Sequence, residues 1–223
     1  MNATLRIVQD SWLHSLAFAL RLDDHFSRAP VAEQLDVVAF APAGRAILPV
    51  KASGASGFRH DDGTYRFIDL RDGNYPVTIQ SLSGDWTSWD PPLSVATPLV
   101  DRRVPIVGDL WPTAQATVAS GLTAVRGKLI GSAVARTKVE IADAAGTFDR
   151  FTRADSSGEF LFPLPIRVKP QADGRISLTV QVASGTRAVT SVDILSGLTT
   201  DHVVGASFLL VPGRASRVKF NVT

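Results

Sequence analysis

Apolar and polar positions alternate along most of this chain. In Leu16-Ala-Phe-Ala-Leu-Arg-Leu22, Leu16, Phe18, Leu20 and Leu22 fall on one side. A period of two is what a half-buried β-strand requires. The same pattern predicts strands over 35–40, 46–51, 64–69 and 74–82, with another within 93–110, where Pro98 and Pro105 interrupt. It resumes over 124–130, 137–142, 148–153, 159–162, 174–182, 188–195, 203–211 and 216–222. Gly, Pro, Asn and Asp punctuate the gaps, as turns demand. Only residues 1–15 are ambiguous. Leu5, Val8, Trp12, Leu13 and Leu16 suit a short amphipathic helix, whereas Leu5 and Ile7 suit a strand, so this segment is read as an arm.

One short pattern occurs twice. Residues 60–67 read His-Asp-Asp-Gly-Thr-Tyr-Arg-Phe, and residues 155–162 read Asp-Ser-Ser-Gly-Glu-Phe-Leu-Phe. In each, a glycine (Gly63, Gly158) precedes two aromatics spaced two apart (Tyr65 and Phe67, Phe160 and Phe162). Glycine supplies the positive φ of a tight turn, and residues two apart share one sheet face. The recurrence predicts a duplicated unit. The flanking strands match too, apart from an insertion at 163–173 that carries Pro163, Pro165 and Pro170.

Short strands with frequent turns predict an all-β protein of two tandem antiparallel Greek-key β-sandwich domains. The boundaries read as an arm over 1–15, a first sandwich over 16–110, a linker over 111–120 and a second sandwich over 121–223. Trp111-Pro112 and the small residues up to Ser120 predict extended, weakly ordered chain there.

The run Asp61-Asp62-Gly63-Thr64-Tyr65-Arg66-Phe67-Ile68-Asp69-Leu70, followed by Asp72-Gly73-Asn74-Tyr75-Pro76-Val77, resembles the hallmark of carboxypeptidase-regulatory-like domains. These are transthyretin-like sandwiches related to Cna-B modules. The resemblance covers Leu16–Leu110 well and Ala124–Thr223 more loosely, because Gly174-Arg175-Ile176 replaces the second Gly-x-Tyr. It implies a transthyretin-like fold for both halves and a non-enzymatic role as appendage, stalk, adhesin or binding platform. A freestanding pair is also similar to accessory proteins of phage tails and contractile injection systems.

The resemblance suggests two chemistries to weigh. Some Cna-B domains join a Lys and an Asn by an isopeptide bond beside a buried acid. Lys128, Asn221 and Glu140 have the matching order, although alternation turns Glu140 outward and the family's own acid is absent. Transthyretin-like 5-hydroxyisourate hydrolases end in Tyr-Arg-Gly-Ser. This chain ends in Lys219-Phe-Asn-Val-Thr223, so that activity is not carried over.

Composition narrows the picture. The 223 residues are 45% hydrophobic, enough for true cores. Charged residues make up only 20%, below the ~25% usual for soluble domains, which suggests surface covered by partners. With no cysteine, disulfides, thiolate metal sites and cysteine nucleophiles are excluded. Residues 1–110 hold 10 Lys and Arg against 13 Asp and Glu, a net −3, while residues 111–223 hold 13 against 8, a net +5. Such asymmetry could favour head-to-tail contacts. No apolar run is long enough to span a membrane. The N-terminal residues carry Arg6, Asp10 and His14 and do not read as a signal peptide. The expectation is cytoplasmic synthesis and a place in a released particle.

Three groups are candidates for chemistry. Asp23, Asp24 and His25 in one loop, with His60, Asp61 and Asp62 in another, could ligate a metal, yet adjacent Asp and Gly are ordinary turn residues. The reading is therefore no metal and no cofactor. Trp86 and Trp89, with Asp85 and Asp90 beside them, could stack on a sugar or anchor a protein partner. Trp12 is a third possible contact, on the arm. No nucleophile-elbow, zinc-protease or phosphate-loop pattern occurs, and no basic run with interleaved aromatics points to nucleic acid. The chain reads as a structural or adaptor protein, not an enzyme, that contacts other proteins of an assembly or copies of itself. The alternative is a carbohydrate-binding module using Trp86 and Trp89.

Overall fold

The computed structural model describes residues 15–51, 57–88, 93–143, 146–165, 168–183, 188–196 and 199–223. Among the described residues every regular element is a β-strand, and no helix is long and apolar enough to cross a membrane. The arm over 1–15, Ser15 excepted, lies outside them. Residue contacts divide the chain into two compact units. One holds residues up to Arg21 with Val37–Thr78 and Pro92–Gly108. The other holds Leu22–Asp36, Ile79–Pro91 and Asp109–Thr223.

The earlier strands are β1 (Leu16–Asp24), β2 (Leu35–Phe40), β3 (Ala46–Ile47), β4 (Thr64–Ile68), β5 (Gly73–Ser81), β6 (Trp86–Thr87), β7 (Leu93–Thr97) and β8 (Ile106–Pro112). They form sheets of order β4-β1-β8-β6 and β3-β2-β5-β7. The later strands are β9 (Ala124–Ile130), β10 (Lys138–Asp143), β11 (Gly146–Arg153), β12 (Glu159–Pro163), β13 (Ile176–Ala183), β14 (Val189–Ser196), β15 (Thr199–Val204), β16 (Ser207–Leu210) and β17 (Ala215–Val222). Their sheets run β12-β9-β17-β14-β15 and β11-β10-β13-β16. Setting β15 aside, the second pair of sheets repeats the strand order of the first.

Burial follows the alternation. Phe18, Leu20, Tyr65 and Phe67 are buried from β1 and β4, and Val37, Ala39, Tyr75 and Val77 from β2 and β5. In the second unit, Val125, Leu129, Phe160, Phe162, Val192, Val218 and Phe220 of one sheet meet Val139, Ile141, Ile176, Leu178, Val180, Phe208 and Leu210 of the other in a single core. Two sheets closing over such a core make a β-sandwich.

Both signature turns are built the same way. Gly63 and Gly158 have φ of 78° and 84°. The Gly63 amide donates to the His60 carbonyl at 2.8 Å, and His60 donates to Thr64 at 2.9 Å. Gly158 donates to Asp155 at 3.2 Å, and Asp155 to Glu159 at 2.8 Å. The capping carboxylate, however, has moved. Asp62 accepts the Thr64 amide at 3.1 Å, whereas Asp155 accepts the equivalent Glu159 amide at 2.9 Å from the position His60 occupies in the first copy. Either side chain satisfies the same otherwise unpaired N–H.

Beyond the turns, opposite residues differ. Phe67 lies opposite Phe18 and stacks on it with ring centroids 4.6 Å apart. Phe160 lies opposite Gly127, whose missing side chain leaves room for the ring. A Cβ on Gly127 would stand 2.0 Å from Phe160 Cζ.

Three features depart from the linear reading. The stretch 203–211 is not one strand, because Gly205, at φ 92°, turns the chain from β15 into β16 on the other sheet. The pair β9–β17 is parallel, unlike the antiparallel pairs around it, since chain that crosses repeatedly between sheets returns in the same direction. Trp111 and Pro112 complete β8, and the residues after them are anchored. Ala116 is buried with Ala124 and Leu161, and the Arg126 guanidinium donates to the carbonyls of Ala114 and Ala116.

Gly127→Ala is expected to cost about 1–3 kcal/mol by overpacking, and Phe160→Ala about 3–5 kcal/mol by leaving a cavity. The double variant should lose clearly less than the sum, because the truncated ring vacates the space the new methyl needs. Urea denaturation of the three variants measures this, and strict additivity would contradict the contact.

Candidate functional site

The sequence-predicted loops serve turns. The Asp24 carboxylate accepts the amides of Phe26 and Ser27 at 3.0 and 3.2 Å. Asp62 accepts the Thr64 hydroxyl at 2.6 Å and pairs with Arg66 at 2.7 Å. Its pKa falls to about 2, chiefly through the Thr64 hydroxyl and then Arg66, with desolvation opposing. Among the described residues no group of three or more His, Asp or Glu is placed to hold a metal ion.

His25 occupies a distinctive place in the second unit. It is buried, with Nδ1 3.0 Å from Asp109 Oδ2, and Asp109 also receives two bonds from Arg28 at 3.2 and 3.0 Å. The imidazole stacks on Trp111 at 4.7 Å and meets the Phe151 ring at 5.0 Å and the Phe26 ring at 5.6 Å. Trp111 Nε1 donates to the Phe151 carbonyl at 3.0 Å. His25 Nε2 is buried without a hydrogen-bond partner. Burial holds the His25 pKa below its ordinary value, against the pull of Asp109. A sealed ring among aromatics works as a core element and does not present a base to solvent.

A second histidine lies on the outer face of the five-stranded sheet. His202 Nδ1 is 2.5 Å from Asp193 Oδ1, and Asn221 Nδ2 bridges Asp193 at 3.3 Å and the Ser191 hydroxyl at 2.9 Å. The bond to His202 is the main reason the Asp193 carboxyl lies below its ordinary range. The Ser191 hydroxyl is bonded from Asn221, so the order of a nucleophile–base pair is not assembled.

The residues suggested for an isopeptide bond are not brought together. Lys128 pairs with Glu159 at 3.1 Å, and its neighbour on β17 is Lys219. Asn221 lies opposite Ile130 on β9, and Glu140, on the other sheet, pairs with Lys138. Of the tryptophans, Trp86 is half-buried in β6, where it pairs with Pro112. Trp89 and Trp12 lie outside the described residues.

One feature escaped the linear reading. Arg126 and Lys128 alternate along β9, and Arg217 and Lys219 along β17. The parallel register puts Arg126 beside Arg217 and Lys128 beside Lys219. These four cations share the outer face, since Val125, Gly127, Leu129, Val218 and Phe220 point inward. With Gln115 and Glu159 they line a cleft of about 630 Å³. The spacing was visible in each strand separately, but the pairing of strands so far apart in sequence was not.

No protein-family model matches the chain, and no curated protein does. Among solved structures it is similar to a streptococcal ancillary pilin, with 14% identity, 93% of this chain and 62% of that chain covered, and a TM-score of 0.31. For the Bacillus anthracis TIE protein the values are 12%, 92%, 34% and 0.28. For the shaft pilin spaA from Lactobacillus rhamnosus GG they are 9%, 94%, 98% and 0.27. The chain thus spans 62% and 34% of the first two. Likenesses at TM-scores this low carry no argument about family or role.

Because His25 is held neutral, the unfolded chain binds a proton more readily than the folded one. Stability from its burial is complete above the unfolded pKa and declines as pH falls toward the lower folded value. Thermal unfolding should therefore lose stability as pH falls below the ordinary histidine value of 6.5, while it is still above the carboxylate range. His25→Gln should flatten that decline, and an unchanged slope would remove His25 as its source.

Proposed function

We propose that this chain is a non-enzymatic structural or adaptor protein of a larger assembly, of phage-tail or injection-machine type. In this reading the repeated strand order descends from a duplicated sandwich whose copies serve as a scaffold. The observation that carries the proposal is β15, the element by which, among the described residues, the second copy exceeds the first. It ends the five-stranded sheet at β12-β9-β17-β14-β15, so among the described residues its far side has no strand neighbour within the sheet. Val204 at its end is 83% exposed. An edge strand without a Pro or Lys to blunt it invites pairing with another chain. Val100, Val104 and Val107 are also exposed in the other unit, which suits surface that is covered in the assembled state.

The test is cross-linking in native lysate, with the linked peptides mapped, alongside light scattering of the purified chain. Cross-links from β15 to a partner or to a second copy are expected. Val204→Lys should abolish them while shifting stability by no more than about 0.5 kcal/mol, as exposed substitutions do. A strictly monomeric chain whose β15 yields no intermolecular link would defeat the proposal.

A further inference from the structure

We infer that the cleft over β9 and β17 is a docking site for an extended acidic peptide of a partner protein, a reading that rests on the assembly role above. Like charges on neighbouring strands of one sheet face repel, and this face holds two such pairs in register, Arg126 with Arg217 and Lys128 with Lys219. Compensation is incomplete. Glu159 answers Lys128, and it also accepts a bond from Gln115 at 3.3 Å. Arg126 is fixed by the carbonyls of Ala114 and Ala116, which orient its charge without cancelling it. Asp193 lies opposite Lys219 on β14 and offsets part of its charge, so Glu159 and Asp193 together leave the four cations in excess. Arg217 lies opposite Leu195, and Arg214 is exposed beside a continuing hollow lined by Leu195, Ser196 and Arg217. Among the described residues neither Arg217 nor Lys219 makes an ion pair at contact distance. Both are exposed.

The spacing selects the ligand. Cations two residues apart on a strand stand about 6.6 Å apart, the same distance as alternate side chains of an extended peptide. A peptide lying along the strands could set successive acids between the paired cations. Among the described residues a base-stacking ligand finds no ring to stack on, because Phe160, the aromatic lining the cleft, is turned into the core and 1% exposed.

Fluorescence anisotropy of the full chain with a labelled short peptide alternating Asp and Ser tests the site. Its Asn-Ser counterpart, heparin and single-stranded DNA serve as comparisons. The acidic peptide should bind, weaken as salt rises, and lose about tenfold or more in affinity in Arg217→Glu and in Lys219→Glu. Both variants should melt no lower than the parent, because each relieves a like-charge pair, so lost binding cannot be laid to misfolding. No binding, equal binding of the Asn-Ser peptide, or indifference to both variants overturns the site. Tighter, variant-sensitive binding of heparin or DNA overturns the peptide assignment. If β15 cross-links persist while the acidic peptide fails, this inference falls alone. Loss of the cross-links while the peptide binds removes the assembly reading instead.

Discussion

Burial of two aromatic residues spaced two apart, immediately after a glycine turn, is the constraint on which the rest of this protein depends. Tyr65 and Phe67, like Phe160 and Phe162, are almost fully excluded from solvent. Each such ring contributes about 1.5–3 kcal/mol by leaving water. The contribution requires that both rings face the opposite sheet, so the register of β4 and β12 cannot slip by one residue without turning both pairs outward. The positive φ at Gly63 and Gly158 starts each strand at the right residue. In the first copy this turns the intervening Arg66 away from the core, and in the second the intervening Leu161 is covered by Ala116 and Ala124.

What opposes each aromatic pair has been free to change. The first copy meets its rings with Phe18 and Leu20, the second with Val125 and Gly127. The exchange of Leu20 for Gly127 is a trade of volume across the pair. Phe160 fills the space a side chain would have taken, and Phe220 stacks against it at 5.8 Å. The migration of the capping carboxylate from Asp62 to Asp155 is of the same kind. The hydrogen bond required at the turn persists, and the residue that supplies it has moved.

The outer faces obey a looser rule. Alternation needs only that outward positions be polar, and it does not set the sign of their charge. Register then determines which charges become neighbours. On β9 and β17 it brings like charges together, and on β12 it brings Glu159 to Lys128. A surface that stores repulsion in a cleft is poised for a ligand of opposite sign. At the sheet's end the surplus strand β15 offers backbone rather than charge.

Most strand positions, the inward faces, the two glycine turns and the repeat were legible along the chain, because each depends on residues only a few positions apart, whereas β6 and most of β15 were not. Periodicity of two and the backbone freedom of glycine act locally and leave a local trace. Asp24 and Asp62 were readable as turn residues, and the fold adds only which amides each accepts. The other site residues were far less legible. The stacking of His25 on Trp111 with its edge contact to Phe151, and the parallel union of β9 with β17, join segments tens of residues apart. No short-range pattern encodes such a meeting, since any outward lysine or arginine satisfies the alternation equally. The sequence by itself therefore determined an all-β chain with two equivalent aromatic turns. Only tertiary packing decided which cations share a cleft and which histidine is sealed from water, because both depend on closure between distant strands.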